Sequence, residues 1–280
     1  MTDKYAVIGN PIAHSKSPLI HHEFAKQFEI TDTPQDISYE AILAPLNSFE
    51  ETVRDLIAKG YKGANVTVPF KVEAYLRVMN NPSDRAMDAG AVNTLFFSGE
   101  EIGGDNTDGT GLVRDIKQNL RREITNKRVL LIGAGGAAEG VLHPLLDEST
   151  AQLVITNRTL DKARNMVKKV WVKNKDRAFN LTANAFDDLA HQQFDVIINA
   201  TSTGLTDTVL QVPDCVFAEN CLAYDMMYGR ETPFMAQARE AGAQVSDGLG
   251  MLVEQAAEAF FIWRGVRPQT APVIAMLRNN

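Results

Sequence analysis

Cysteine is nearly absent from this 280-residue chain, Cys215 and Cys221 being the only two. They have neither C-x-x-C spacing nor a secretory context, which excludes a disulfide framework or a thiolate metal site. Both read as reduced, structural residues of a cytoplasmic protein. Histidine is also sparse: His14, His21, His22, His143 and His191 form no H-E-x-x-H or other ligand spacing, so no metal is implied. Basic runs are missing and the net charge is -7, which argues against specific nucleic-acid binding. No apolar run approaches the roughly 20 residues that cross a membrane. The first ten residues carry Asp3 and enter a strand pattern almost at once, so no signal peptide is expected there. Internal repeats and low-complexity tracts are lacking too.

What is present is the composition of a soluble globular protein, 45% hydrophobic and 22% charged, with length for two ordinary domains or one large one. The densest signal is R-V-L-L-I-G-A-G-G-A-A at 128–138. Its apolar run 129–132 has the length of a buried strand, and Gly133, Gly135 and Ala138 fit G-x-G-x-x-[GA] ahead of a helix over 139–146. Gly133 permits a tight turn, Gly135 a close backbone approach to a pyrophosphate, and Ala138 close packing of helix on strand. The helix N-terminus offers free N–H groups and a positive dipole end to phosphates. The next strand, 153–156, runs into Asn157, Arg158 and Thr159, with Lys162 following. An NAD-binding protein usually has an acid near this point for the ribose 2′-hydroxyl. Two cations and two hydrogen-bonding side chains suit a 2′-phosphate instead, which points to NADP(H). Solvated surface charge is the plainer alternative for Arg158 and Lys162.

Toward the N-terminus, a strand at 5–8 ends in Gly9, Asn10 and Pro11. Ser17 is placed as the N-cap of a helix through 28, with Pro18 as its first residue and Leu19, Ile20, Phe24 and Phe28 on the buried face. Ser15 and Ser17 flanking a helix N-terminus also make a carboxylate site, and the local sequence does not choose between cap and ligand. A strand at 37–43 and an amphipathic helix at 46–59 follow, the latter burying Leu46, Phe49, Val53, Leu56 and Ile57 and stopping at Gly60. A strand at 62–68 enters N-V-T-V-P-F-K (65–71), where Pro69 ends the strand and a helix starts near Phe70. Open α/β sheets bind ligands at strand carboxyl ends, which favours Asn65, Thr67 and Lys71 as site residues. A short helix at 84–89, strands at 91–97 and 102–105, and a turn at 98–101 lead to G-D-N-T-D-G (104–109). Asp108 opens a helix at 110–120, a position where an acid is commonly only a dipole partner. Beyond the glycine motif lie a charged loop at 172–177, strands at 194–199, 222–226 and 243–246, and helices at 232–241, 249–264 and 271–277.

Ten segments together resemble the shikimate/quinate dehydrogenase family over nearly the whole length. They are G-N-P-I-A-H-S-K-S-P (9–18), N-V-T-V-P-F-K (65–71), A-G-A-V-N-T (89–94), N-T-D-G (106–109) and G-A-G-G-A (133–137). N-R-T (157–159), N-A-T-S (199–202), D-M-M-Y (225–228), T-P-F (232–234) and D-G-L-G-M (247–251) complete the set. The glycine loop is common to many oxidoreductases, whereas N-V-T-V-P-F-K with a distant N-T-D-G is highly specific. The resemblance implies an N-terminal α/β substrate domain at 1–107, completed by C-terminal helices at 248–280. A Rossmann-type NADP-binding domain with a doubly wound parallel sheet would occupy 108–247.

Carried over by position, Ser15 and Ser17 would bind the substrate carboxylate with Tyr228, and Asn65, Thr67, Asn93 and Gln255 the ring hydroxyls. Lys71 and Asp108 would also touch substrate and form the catalytic pair. A hydride arriving at a carbonyl carbon leaves negative charge on oxygen, which needs a nearby proton or cation, and no histidine here has a motif for that role. Gly133, Ala134, Gly135, Gly136 and Ala137 with Asn157, Arg158, Thr159 and Lys162 would hold NADP(H). Met226 and Gly248 would lie against the nicotinamide, and Asp84 is carried over from a less distinctive neighbourhood. Lys162 stands where many relatives have Arg, so its phosphate contact lacks the bidentate fork; Y-G-R-E-T at 228–232 is a local variant. The implied activity is reversible NADPH-dependent reduction of 3-dehydroshikimate to shikimate, in chorismate and aromatic amino acid biosynthesis. The partner would be a small-molecule substrate, and the protein a cytoplasmic monomer or homodimer. A quinate/shikimate dehydrogenase accepting NAD would favour an acid within 157–159, and none is there. A non-catalytic NADP-sensing regulator would have lost Lys71 or Asp108, and both are present.

Overall fold

Short apolar runs alternating with amphipathic helices fold into two α/β units in the computed structural model, which describes residues 2–29, 34–99, 101–174, 180–206 and 208–279. One unit comprises Met1–Gly111 and Leu252–Asn280, the other Leu112–Met251.

The first unit is built on β1 (Asp3–Gly9), whose residues Tyr5 to Ile8 are all buried, as a strand covered on both faces requires. β2 (Ile37–Leu43) and β3 (Tyr61–Val66) flank it in parallel, and β4 (Thr94–Ser98) and β5 (Glu101–Asp105) extend the sheet antiparallel, in the order β2-β1-β3-β4-β5. Residue 100, in the expected turn at 98–101, lies outside the described residues. Helix α1 (Ser17–Lys26) buries Ser17, Ile20, His21, Phe24 and Ala25, an i, i+3, i+4, i+7, i+8 stripe. Leu19 falls off that stripe and is 42% exposed, contrary to the sequence expectation. Ser17 is also not the N-cap. Lys16 holds that position, and the Ser17 N–H donates back to Ser15 Oγ at 3.3 Å.

Helix α2 (Phe49–Ala58) seats Phe49, Val53 and Leu56 in the core. Leu46 precedes the helix and is 59% exposed, so its expected place on the buried face is also corrected. Two short helices, α3 (Lys71–Arg77) and α4 (Asp84–Ala89), follow; the Ser83 hydroxyl caps α4 by accepting from Ala86 N at 3.1 Å. Helix α5 (Asp108–Arg114) widens into a π-helical turn at Asp115–Asn119, interrupting the single helix expected at 110–120. Buried Asp115 there accepts from the Tyr224 hydroxyl at 2.6 Å and from Asn119 Nδ2 at 2.9 Å.

The second unit holds six parallel strands. Its elements are β6 (Arg128–Ile132), α6 (Gly136–Asp147), β7 (Gln152–Thr156), α7 (Leu160–Lys173), β8 (Leu181–Asn184), β9 (Phe194–Asn199), β10 (Phe217–Asp225), α8 (Pro233–Glu240) and β11 (Gln244–Ser246). The order β11-β10-β9-β6-β7-β8 is that of the dinucleotide-binding fold, with the strand order reversing between β6 and β9. Val129, Leu130, Leu131 and Ile132 of β6 are all fully buried. β8 escaped the sequence reading because its four residues bury one apolar side chain, Leu181, at a sheet edge. Of the loop expected at 172–177, Val172 and Lys173 complete α7, while 175–177 lie outside the described residues. Cys221 is buried as a structural thiol should be, whereas Cys215 is exposed.

The chain ends with α9 (Leu249–Arg264) and α10 (Ala271–Arg278). Along α9, Phe260 meets Phe24 and Phe28 of the α1 region, and Trp263 stacks on Tyr5 with ring centroids 4.6 Å apart. His21 is enclosed on this face, fully buried, its ring stacked on that of Tyr39 with centroids 4.2 Å apart and planes nearly parallel. Burial drives its pKa from 6.5 down to about 3, against a smaller opposing pull from the Asn65 side chain. The unfolded chain therefore binds a proton below its ordinary pKa that the folded chain refuses. The associated stability is complete above pH 6.5 and is lost as the pH falls toward 3. Between about pH 8 and about pH 5 the His21 share of this loss is about 2 kcal/mol. Denaturant unfolding at those two pH values checks it: His21→Phe should show a difference smaller by that amount than wild type.

Candidate active site

Polar side chains converge where the apolar pattern of the first unit breaks off. Asn65 is the penultimate residue of β3 and is 5% exposed, and the chain then turns through Thr67 to Lys71, the first residue of α3. Asn93 lies just before β4, Asp108 starts α5, and Gln255 projects from α9. Lys71 Nζ donates to Asp108 Oδ2 at 2.6 Å. Asn93 Nδ2 donates to the other oxygen, Oδ1, at 2.8 Å, and also reaches Thr107 Oγ1 at 3.0 Å and Gln255 Oε1 at 3.3 Å. Asn65 Nδ2 donates to the Asn93 carbonyl and to Thr94 Oγ1, both at 3.1 Å. Five of the sequence-expected residues thus belong to one hydrogen-bonded cluster: Asn65, Lys71, Asn93, Asp108 and Gln255.

Thr67, two residues beyond Asn65, is held against β1 by its N–H donating to Ile8 O and is not bonded to the cluster among the described contacts. Ser15 and buried Ser17 lie together at the start of α1. Asp84, also in this unit, is exposed in the first turn of α4, where a carboxylate complements the helix dipole.

In the second unit a cavity of ≈ 880 Å³ opens at the carboxyl ends of β6, β7 and β9. Gly133, Ala134, Gly135, Gly136 and Ala137 line it, with Asn157, Arg158, Lys162 and Met226. Gly133 has φ +120°, a conformation L side chains rarely adopt, and packs against the Ala200 carbonyl. A Cβ on Gly135 would meet nothing within 4 Å, so the loop presents open backbone to the cavity. Arg158 and Lys162 are exposed, and neither has a carboxylate partner among the described residues. Thr159 does not line the cavity but takes the N-cap position of α7, its carbonyl accepting from Asn157 Nδ2 at 2.9 Å. This donor set fits a dinucleotide carrying an extra phosphate: a glycine turn at a helix N-terminus for the pyrophosphate, and two unpaired cations where an acid would select a free 2′-hydroxyl.

Sequence reasoning assigned no role to Thr201, Ser202, Thr203, Phe186 and Leu210, which also line the cavity. The usable signal was A-T-S-T-G at a strand's carboxyl end. Asn199 holds this turn by accepting from Thr201 N at 3.1 Å and Thr201 Oγ1 at 2.7 Å, while donating to Asp225 Oδ2 at 3.0 Å. Asp225 in turn accepts from Met227 N at 2.9 Å and Thr232 Oγ1 at 2.6 Å, which fixes the segment carrying Met226, Met227 and Tyr228. Burial pushes the Tyr228 phenol up, keeping it protonated. Gly248 donates its N–H to Met227 O at 2.8 Å, and a Cβ there would sit 2.3 Å from the Met226 carbonyl oxygen, so only glycine fits. Among the described residues no cluster of His, Cys, Asp or Glu could hold a metal, and no helix is long and apolar enough to cross a membrane.

Comparison with known proteins covers both units. Residues 7–95 match the shikimate dehydrogenase substrate binding domain, 115–214 the shikimate/quinate 5-dehydrogenase domain, and 248–278 the shikimate 5'-dehydrogenase C-terminal domain. The chain is 60% identical over 277 residues to the shikimate dehydrogenase (NADP(+)) of Methylobacillus flagellatus, covering 99% of each. It superposes on an Ael1 enzyme from Pseudomonas putida with a TM-score of 0.91 and 45% identity, covering 99% of this chain and 98% of the other. The Thermus thermophilus shikimate 5-dehydrogenase solved with NADP(H) and shikimate gives a TM-score of 0.85 at 28% identity, covering 99% of each chain. With 60% identity sustained from end to end, this chain belongs to the shikimate dehydrogenase family.

Proposed function

We propose that the protein catalyses the reversible, NADPH-dependent reduction of 3-dehydroshikimate to shikimate, serving aromatic amino acid biosynthesis. The observation that carries this reading is the Lys71–Asp108 pair, 2.6 Å apart within a cluster of amide side chains suited to a polyhydroxylated ring. The first unit, with Asn65, Thr67, Asn93 and Gln255, takes the substrate, its carboxylate on Ser15 and Ser17. The second unit takes NADP(H), with the pyrophosphate over Gly133–Ala137 residues and the 2′-phosphate on Arg158 and Lys162. Asn157 and Thr159 shape that turn, and Met226 and Gly248 form the nicotinamide wall. The protein acts in the cytoplasm as a monomer or homodimer, a setting in keeping with its two unpaired cysteines.

NADPH, when bound, supplies the hydride. The chain supplies the proton. Lys71 Nζ has three protons, one committed to Asp108 Oδ2, so a further N–H is available to the ketone oxygen as negative charge develops there. Asp108 keeps the ammonium aimed, and Asn93 Nδ2 on Oδ1 stops the carboxylate from rotating. In the oxidative direction the same pair receives the proton of the reacting hydroxyl.

Replacing Lys71 by Ala should lower kcat by roughly 10²–10⁴-fold, the usual size of a general acid–base contribution, with a much smaller change in substrate KM. Asp108→Asn should also slow turnover severely. Steady-state kinetics on variants shown folded by circular dichroism provide the check, and a folded Lys71→Ala enzyme with near-normal kcat contradicts the assignment.

Arg158→Ala should raise the apparent KM for NADP while barely changing that for NAD, because a hydrogen bond to a charged group contributes about 1.5–3 kcal/mol, less where water screens it. Parallel titrations of both cofactors measure this. Equal losses with the two would remove the 2′-phosphate role.

A further inference from the structure

Tyr39 stands on β2, the edge strand of the first unit, paired in register with Tyr5 of β1. Its hydroxyl donates to Asn65 Oδ1 at 2.7 Å. The other end of that amide, Nδ2, donates to the Asn93 carbonyl and to Thr94 Oγ1. A backbone carbonyl can only accept, so it fixes which end of Asn65 is nitrogen, and Oδ1 must face the phenol. The bonds then continue inward. Thr94 Oγ1 donates to Asn93 Oδ1 at 2.9 Å, Asn93 Nδ2 to Asp108 Oδ1 at 2.8 Å, and Lys71 Nζ to Asp108 Oδ2 at 2.6 Å.

The phenol is itself held. His21 stacks on its ring at 4.2 Å with planes 8° apart, and Trp263 lies tilted 6.3 Å away. Burial pushes its ionisation well above the usual phenol range, with the neighbouring Ser17 hydroxyl opposing weakly, so Tyr39 stays a protonated donor. Both N–H bonds of Asn65 are thereby committed inside the protein, and its Oδ1, which takes the Tyr39 proton and lies beside His21, is the atom with accepting capacity left.

We propose that Tyr39 is a positioning residue that locks the Asn65 amide with its oxygen toward the substrate, so that Asn65 acts as an acceptor selecting a ring hydroxyl. This rests on the proposed placement of the substrate against Asn65. Losing the phenol hydroxyl frees the amide to tilt about its two remaining bonds, so that its oxygen is no longer held in one direction, while the Lys71–Asp108 pair stays intact. The effect therefore falls on substrate KM and not on kcat.

The test is a kinetic cycle of wild type, Tyr39→Phe, Asn65→Ala and the double variant, each assayed for kcat, shikimate KM and NADP KM. Tyr39→Phe should raise shikimate KM about tenfold, the size of one net hydrogen bond, with kcat and NADP KM nearly unchanged. In the Asn65→Ala background the same change should add almost nothing. A shikimate analogue lacking the selected ring hydroxyl should be discriminated against less strongly by Tyr39→Phe than by wild type. If Asn65→Ala leaves shikimate KM unchanged, the substrate placement itself fails. If Asn65→Ala raises it but Tyr39→Phe does not, or if the two effects add independently, the positioning role is overturned. Where Tyr39→Phe fails to fold, 3-fluorotyrosine at position 39, a stronger donor of the same shape, replaces it. Shikimate KM should then shift while NADP KM holds, and no shift overturns the proposal.

Discussion

The site in the first unit depends on how one buried carboxylate, Asp105, is neutralised. It is 6% exposed at the end of β5, and a charge in that position costs several kcal/mol unless it is paired and hydrogen-bonded. Burial alone would push its pKa up. Arg85, Ser83 and the Asn106 backbone N–H overcome that and hold it below the usual carboxylate value. Arg85 engages it from α4 through two nitrogens, with Nε to Oδ1 at 3.0 Å, and its remaining reach goes to Glu258 on α9 at 3.0 Å. Glu258 is also paired with Arg267. One ion network therefore ties α4, β5 and α9 together, and the C-terminal helix closes the N-terminal sheet through charge as well as through Trp263 and Phe260. Withdrawing one member of such a network costs about 3–5 kcal/mol, because its partners remain buried and charged.

The geometry of the Lys71–Asp108 pair inherits that rigidity. Asn106, next to Asp105, donates Nδ2 to the Ala91 carbonyl at 3.0 Å and accepts from Asp108 N at 3.1 Å. Thr107 is fixed from the other side, its N–H on Asn93 Oδ1 at 2.9 Å. Between an immobile Asp105 and a backbone pinned at three successive residues, the Asp108 carboxylate has little freedom left. Lys71 then finds it in one place. N-T-D-G reads as a catalytic signature, but two of its four residues hold the turn so that the third can be aimed.

How much of this was legible follows from the range of each signal. The glycine loop, the strands around it and the cations after β7 are local features, and the chain carries them in the order in which they act. The helix face of α1 shows where local reading stops. Its apolar pattern suggested Leu19, but the sheet selects the stripe through Ser17 and His21, burying a hydroxyl and an imidazole that composition would place outside. The cap of the same helix went to Lys16 for a related reason, since Ser17 is drawn into the first turn by its backbone bond to Ser15 Oγ. β8 carries too little apolar surface to announce itself, and the π-helical turn at Asp115 answers to Tyr224, more than a hundred residues away. Partners at that distance leave no periodicity to read. Tyr39 was invisible on the same ground: an alternating edge strand offers no mark that one phenol reaches across β1 to β3.

In the cluster proposed to hold the substrate, specificity would come from what its amides have already committed. Asn93 donates to Asp108, Thr107 and Gln255 and accepts from Thr94 and Thr107, so nearly all its capacity is internal. Asn65 has committed both N–H bonds in the same way. With its donors engaged, Asn65 presents its oxygen, and an amide oxygen pairs with hydroxyl protons. A ligand that replaced those hydroxyls by hydrogen would strand buried acceptors, the circumstance in which discrimination between analogues becomes large. Lys71 supplies the complementary element, a cation with protons to spare beside a row of acceptors. The cluster therefore pairs accepting oxygens with one cation, a polarity set by hydrogen bonds within the chain and matched to the ring proposed for it.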